Sequence, residues 1–115
     1  MVVNLWATGC APCRVEMPAL DAAQSRENGV HFIFVNPGES AATVQWYLLA
    51  AGLPLQNAVL DTDSLLGPAA GSSGLPTRLF FDAKGNLADR HFGALSTVSL
   101  TSKLSLFRPA ATASP

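Results

Sequence analysis

Apolar residues in this chain fall in short runs separated by Gly, Pro, Asn and Asp, and the spacing inside each run points to the element it forms. Val2-Val3-Asn4-Leu5-Trp6 is mostly apolar and of strand length, which suits a strand covered on both sides. Ala7-Thr8-Gly9 breaks it. From Cys10 onward, Cys13, Met17, Leu20 and Ala23 or Gln24 recur at helical spacing, and Asn28-Gly29 supplies the stop. Pro18 has no N–H for the carbonyl of Arg14, so a kink is expected one turn after the cysteines. Val30 to Val35 (V-H-F-I-F-V) reads as a second strand, and the strand-helix-strand order predicts a right-handed parallel crossover.

Asn36-Pro37-Gly38 then marks a turn. Ser40 is placed to cap a helix running through Trp46, Leu49 and Ala50 and ending at Gly52. A short segment, Val59-Leu60-Asp61, leads into a weaker helix broken by Gly67-Pro68. Leu79 to Asp82, then Ala83-Lys84-Gly85-Asn86, then Leu87 to Phe92 read as strand, turn and strand, an antiparallel pair. Leu95, Val98, Leu104 and Phe107 fit a closing helix. The expected class is α/β, a mixed central sheet of about four strands flanked by helices on both faces.

Composition narrows the picture further. A length of 115 residues suits one core but not two, and no repeat or linker divides the chain. The expected organisation is one domain over residues 1–108 and a flexible, Pro-containing tail over 109–115. Hydrophobic residues make up 49% and charged ones only 13%, a balance that excludes a disordered chain. The net charge of −1 gathers into no basic run, so nucleic acid is not an expected partner. No apolar stretch approaches the roughly 20 residues of a membrane span, and the first residues lack the layout of a signal peptide.

The only two cysteines lie two residues apart, which excludes a distributed disulfide framework. A zinc site would need ligands from elsewhere, and His31 and His91 repeat no ligand-pair spacing, so no metal or other cofactor is expected. Cys10-Ala11-Pro12-Cys13 at a strand-to-helix junction is instead a redox placement, because exchange needs a thiolate with a second thiol in reach. Cys10 falls at the first helical turn, where unpaired N–H groups and the helix dipole favour an anion, and it is the expected nucleophile. Cys13 lies nearly one turn deeper and is the expected resolving thiol. Pro12 suits the first turn and stiffens the approach of the sulfurs. Glu16, three residues beyond Cys13, is placed either to exchange a proton with the buried thiol or simply to lie in solvent near the helix start. Arg14 reads as an exposed neighbour. Gly74-Leu75-Pro76-Thr77 precedes the Leu79 strand, which, if antiparallel to the first, begins beside Cys10. Spacing alone favours a trans bond at Pro76, since only about one in twenty X–Pro bonds is cis.

The stretch Val3-Asn4-Leu5-Trp6-Ala7-Thr8-Gly9-Cys10-Ala11-Pro12-Cys13-Arg14-Val15-Glu16-Met17-Pro18 resembles the active-site segment of the TlpA/ResA branch of thioredoxin-like proteins. Further segments agree in order: Val35 to Ser40, Val59 to Asp63, Gly74 to Thr77 and Phe81 to Asn86. The resemblance spans roughly residues 2–107. It implies a thioredoxin-like fold, with Cys10 the exposed attacking cysteine, Cys13 its buried partner and Glu16 the acid that tunes their titration. It also implies a cis proline at Pro76, with Leu75 and Thr77 offering backbone to an extended substrate; with Trp6 and Pro12 these form the expected substrate surface. Asn4 stands where thioredoxin carries a buried Asp.

Two departures from that branch stand out. Gly9 occupies the position where Trp usually precedes the first cysteine, so an open flank beside Cys10 is expected. Relatives also carry a further strand or hairpin before the Val2 strand, usually after a signal sequence or membrane anchor, so the chain is expected to begin inside a longer protein. The function implied is thiol-disulfide exchange with protein substrates, as a reductase of the cytochrome c maturation type. Apocytochrome c is then a substrate, a membrane thiol protein the electron donor, and the setting periplasmic or otherwise extracytoplasmic. Rival readings are a dithiol oxidase, a metal- or partner-binding module using the two thiols, and a peroxidase of the wider redoxin group. For the last, Thr8 is present but the surrounding pattern is not.

Overall fold

The computed structural model describes residues 1–26, 29–53, 55, 57–72, 74–93 and 95–106. β1 (Val2–Leu5) leads through Trp6 to Cys10 into α1 (Ala11–Arg26), which returns to β2 (Phe32–Pro37). α2 (Ala41–Ala51), β3 (Ala58–Asp61) and a one-turn α3 (Leu66–Ala69) follow. β4 (Thr77–Phe81), β5 (Leu87–Phe92) and α4 (Thr97–Leu106) complete the order.

The sheet runs β3-β2-β1-β4-β5, with β1, β2 and β3 parallel and β4 and β5 antiparallel to their neighbours. It has five strands where about four were expected. The addition is Ala58–Asp61, a segment too short and too exposed to declare itself by alternation, which pairs with Phe34 to Pro37 as the outer strand. Register sets the faces. Val2 and Asn4 point one way with Phe32, Phe34 and Phe80, and Val3 and Leu5 point the other with Val35 and Leu79.

The first face carries the larger core: α1 lays Cys13, Met17, Leu20 and Ala23 on it, joined by Leu100 and Leu104 of α4 and Val44 of α2. Each fully buried Phe, Leu or Met there contributes about 1.5–3 kcal/mol by leaving water. The second face is covered by Leu66, Ala70 and Leu75. Helices therefore lie on both faces, as expected, with α3 the smaller cover.

α1 runs unbroken through Pro18, whose ring is exposed. α2 begins and ends as its punctuation predicts: Ser40 accepts from the Thr43 N–H at 3.2 Å, and Gly52 closes it at φ 65°, a conformation L side chains avoid. The apolar spacing that marks α2 and α4 does not by itself mark their buried face. Trp46 and Leu49 are 76% and 81% exposed and Val98 is 76% exposed, while Leu100, not Val98, turns inward from α4. Asn28, Phe107 and the tail expected from Arg108 onward lie outside the described residues, as does the domain boundary placed at residue 108.

Candidate active site

The site forms where β1 ends. Cys10 and Cys13 are joined by a disulfide with Cα atoms 5.2 Å apart. The Arg14 N–H donates to the Cys10 carbonyl at 3.1 Å, the first helical bond, and the Cys13 N–H donates to Cys10 Sγ at 3.3 Å. A helix start leaves its first N–H groups without intrahelical partners, so a sulfur that accepts one is favoured as an anion. The two sulfurs differ in access: Cys13 is 1% exposed and belongs to the core, whereas Cys10 is half-buried at its edge. Ala11 and Pro12, between them, are exposed.

Glu16 is buried on the same helix, and both its oxygens are engaged. Oε1 pairs with Arg78 Nη2, and Oε2 accepts the N–H of Leu95. Of the two placements open to Glu16 by spacing, solvent is the one the structure removes. Arg78 is itself 1% exposed, and among the described residues its Nε and Nη1 have no partner. It faces its cross-strand neighbour Asn4, whose amide nitrogen lies 3.9 Å from Met17 Sδ. Asn4, Glu16 and Arg78 are thus the buried polar groups under α1. The sequence reading missed Arg78. Its signal was an Arg in an otherwise apolar strand, T-R-L-F-F, at a position of the alternation that must point into the core.

The Leu75–Pro76 bond is cis, as the resemblance and not the spacing implies. Pairing of Thr77 with Leu5 places this loop at the Cys10 end of the sheet, and Leu75 packs on the same core cluster as Cys10. The three residues differ in what they leave free. The Pro76 carbonyl accepts from the Gly93 N–H at 2.9 Å. Thr77 is buried, lies in the ladder between Leu5 and Phe92, and bonds through Oγ1 to the Gly74 carbonyl at 2.5 Å. Leu75 alone is half-buried, with no main-chain hydrogen bond among the described residues. Trp6, expected on the substrate surface, is fully buried in the core, its ring 5.5 Å from that of Tyr47.

Gly9, directly before Cys10, is exposed, and a Cβ built on it meets nothing within 4 Å. The open flank is present. Its neighbour Thr8 is held firmly: the N–H donates to Glu39 Oε1 at 2.8 Å, the hydroxyl to Glu39 Oε2 at 2.5 Å, and the carbonyl accepts from Arg14 Nη1 at 3.2 Å. Asn36 Nδ2 also donates to Glu39 Oε1, at 2.7 Å. Burial acts to raise the Glu39 carboxyl, but the hydrogen bonds from the Thr8 hydroxyl, the Thr8 N–H and Asn36 outweigh it, leaving the group below its ordinary value. Among the described residues no group of three or more His, Cys, Asp and Glu is gathered to hold a metal ion, and no helix is long and apolar enough to cross a membrane.

No family model matches the chain. Curated proteins do. It is 38% identical over 98 residues to the thiol:disulfide interchange protein DsbE of Pseudomonas fluorescens biotype C, covering 84% of this chain and 53% of that protein. It is 31% identical over 103 residues to the thiol:disulfide interchange protein HelX of Rhodobacter capsulatus (90% and 57%). It is 31% identical over 111 residues to the thiol-disulfide oxidoreductase ResA of Halalkalibacterium halodurans (95% and 62%). The chain therefore spans between half and two thirds of these relatives' length. Among solved structures, MTB dsbF in its mixed oxidized and reduced forms superposes with a TM-score of 0.84 at 24% identity, over 92% of this chain and 78% of that one. StoA from Bacillus subtilis gives 0.77 at 21% identity, over 88% and 78%. The thioredoxin-like fold is shared.

Proposed function

Because the chain belongs to the TlpA/ResA-like branch of the thioredoxin-like thiol-disulfide oxidoreductases, we propose that it exchanges disulfides with protein substrates through Cys10 and Cys13, as a reductase. The observation that carries the reading is the asymmetric disulfide at the start of α1, one sulfur reachable and the other in the core. In the reduced domain the Cys10 thiolate attacks a substrate disulfide. A mixed disulfide forms and one substrate thiolate leaves. Cys13, deprotonated, then attacks Cys10 Sγ, which closes the internal disulfide and releases the second substrate thiolate. Two electrons pass to the substrate, and a thiol protein returns them by the reverse exchange. The sulfurs carry the chemistry, so no bound cofactor is needed.

The backbone of Leu75, without a main-chain hydrogen bond among the described residues, supports binding of an extended substrate segment beside Cys10, where Pro12 is also exposed. A cavity of about 250 Å³, lined in part by Leu5, Pro37, Gly74 and Leu75, has room for an apolar substrate side chain. Pro76 and Thr77 shape this loop from beneath. Glu16 sits one turn from Cys13 and serves its proton exchange, with Arg78 holding it in place. The setting proposed is extracytoplasmic, the substrates c-type apocytochromes or similar dithiol proteins, and the donor a membrane thiol protein, all by analogy with the family.

The test is trapping together with a potential. Cys13→Ser should accumulate a mixed disulfide with a disulfide-bearing protein substrate, and Cys10→Ser should form none. Equilibration of the wild type against glutathione or dithiothreitol buffers should give a potential toward about −270 mV. A value near about −120 mV would make the domain an oxidant and overturn the reductive assignment.

A further inference from the structure

We propose that Glu39 is a positioning residue for the Cys10–Cys13 pair, acting through Thr8 to hold the segment that delivers Cys10 to the start of α1. The inference rests on the exchange reading for its biological meaning, but its geometry is independent of which way electrons flow.

Three observations converge on it. The joint between β1 and α1 is short, and its last residue before the nucleophile is Gly9, which is exposed and has nothing within 4 Å of a built Cβ. No side chain at Gly9 packs the segment down, so beyond the turn bond from the Cys10 N–H to the Ala7 carbonyl at 3.1 Å its anchoring to the rest of the domain runs through Thr8. All three polar groups of Thr8 are engaged, two of them by the Glu39 carboxylate at 2.8 and 2.5 Å and the third by Arg14 of α1 at 3.2 Å. Glu39 is in turn anchored from its own side. It follows β2, precedes the Ser40 cap of α2, and receives a 2.7 Å hydrogen bond from Asn36, which is 1% exposed at the end of β2.

The carboxylate therefore ties the segment that leads into the catalytic helix to the β2–α2 connection by direct hydrogen bonds, in addition to the sheet pairing and the shared core. Preorganisation of this kind matters because Cys10 Sγ is stabilised as an anion only while it stays within reach of the Cys13 N–H, now at 3.3 Å. A loosened Thr8-Gly9 segment lets Cys10 drift from that donor. The negative charge of Glu39 acts in the opposite sense, since a carboxylate near a thiolate disfavours it. Position and charge thus make opposite predictions, and a neutral isostere separates them. In Glu39→Gln the amide oxygen still accepts from the Thr8 N–H, and the amide nitrogen can donate to the Thr8 hydroxyl oxygen.

The experiment measures alkylation of Cys10 by iodoacetamide across pH in a Cys13→Ser background, and the glutathione equilibrium of the Cys10–Cys13 pair in the otherwise unmodified protein. Thr8→Val, which loses only the hydroxyl bond, should slow alkylation at neutral pH by about fivefold, the equivalent of one ordinary hydrogen bond. Glu39→Ala, which loses the N–H bond as well, should slow it by at least as much, and each should shift the equilibrium constant by a similar factor. Their combination should be no worse than Glu39→Ala alone, because that change already removes the acceptor of the hydroxyl that Thr8→Val takes away. Glu39→Gln should restore the wild-type rate. Unchanged alkylation and equilibrium in Glu39→Ala, faster alkylation in both Glu39 variants, or full additivity of Glu39→Ala and Thr8→Val would each overturn the proposal. The outcome is separable from that of the exchange reading. If the wild type forms no mixed disulfide with a protein substrate while Glu39→Ala still slows alkylation, the exchange reading fails and the positioning role stands.

Discussion

Replacing Arg78 by Met should destabilise the domain severely, and replacing its partner as well should restore most of what is lost. Arg78 and Glu16 form an ion pair whose side chains are only 1% and 8% exposed. The carboxylate that Arg78→Met leaves behind is largely shielded from water, and its remaining bond is to the Leu95 N–H. Removing one member of such a pair costs about 3–5 kcal/mol, against a total stability of about 5–15 kcal/mol for a domain of this kind. The intact pair is not a large net gain, however. The Arg78 Nε and Nη1 atoms are buried with no partner among the described residues, so its desolvation is only partly offset. Arg78→Met combined with Glu16→Leu should therefore come within about 1–2 kcal/mol of wild type, or exceed it.

Urea unfolding of the oxidised protein, followed by Trp fluorescence and far-UV circular dichroism, is the assay, with the disulfide intact in every variant so that the unfolded state is equally constrained. With a slope of about 1–3 kcal/mol per molar urea, the single variant should lose more than about 1 M in midpoint and the double should regain it at unchanged slope. A single variant within about 1 kcal/mol of wild type, or a double variant worse than the single, would refute the reasoning that these charges are buried and mutually dependent.

Other outcomes follow from the same structure. Gly9→Trp should fold with unchanged stability, since its Cβ has open space, and should slow alkylation of Cys10 in the reduced protein by covering its flank. Ser40→Ala should cost about 1 kcal/mol in urea unfolding by removing the cap on the Thr43 N–H. Glu39 is ionised more readily folded than unfolded, so its contribution is fully present above the ordinary carboxylate value of about 4.3 and is lost as pH falls through the lower folded value. Stability of Glu39→Gln should accordingly depend less on pH in that acid window than wild type, measured by unfolding at pH 3 to 6. Asp89→Asn should cost less than about 1 kcal/mol, because the Lys103–Asp89 pair is 29% and 37% exposed and screened by solvent, and the difference should shrink further in high salt.

Much of the molecule was legible from local signals. The Val2 strand, the helix after Cys10, the cap at Ser40, the stop at Gly52 and the antiparallel hairpin over Leu79 to Phe92 all follow from periodicity and turn chemistry, which act between near neighbours. The redox pair follows as well, because spacing along one chain brings Cys13 within reach of Cys10. The fifth strand was not legible: four exposed or half-buried residues, Ala58 to Asp61, become a strand only because β2 has an edge to offer them. Trp46, Leu49 and Val98, apolar yet exposed, show the converse. Apolar character says what a side chain prefers, and the packing of other elements decides whether there is a surface to receive it.

The same division runs through the site. By itself the sequence determined the fold class, the two sulfurs, their order along the helix and the acid three residues on, since each depends on residues within one or two turns of one another. Only the tertiary structure decided what surrounds them. Glu16 meets Arg78 across 62 positions of chain, and Thr8 meets Glu39 across 31, through a sheet register and a loop approach that no local pattern encodes. Contacts between distant segments are set when the whole sheet closes. The burial that makes those charges consequential exists only then.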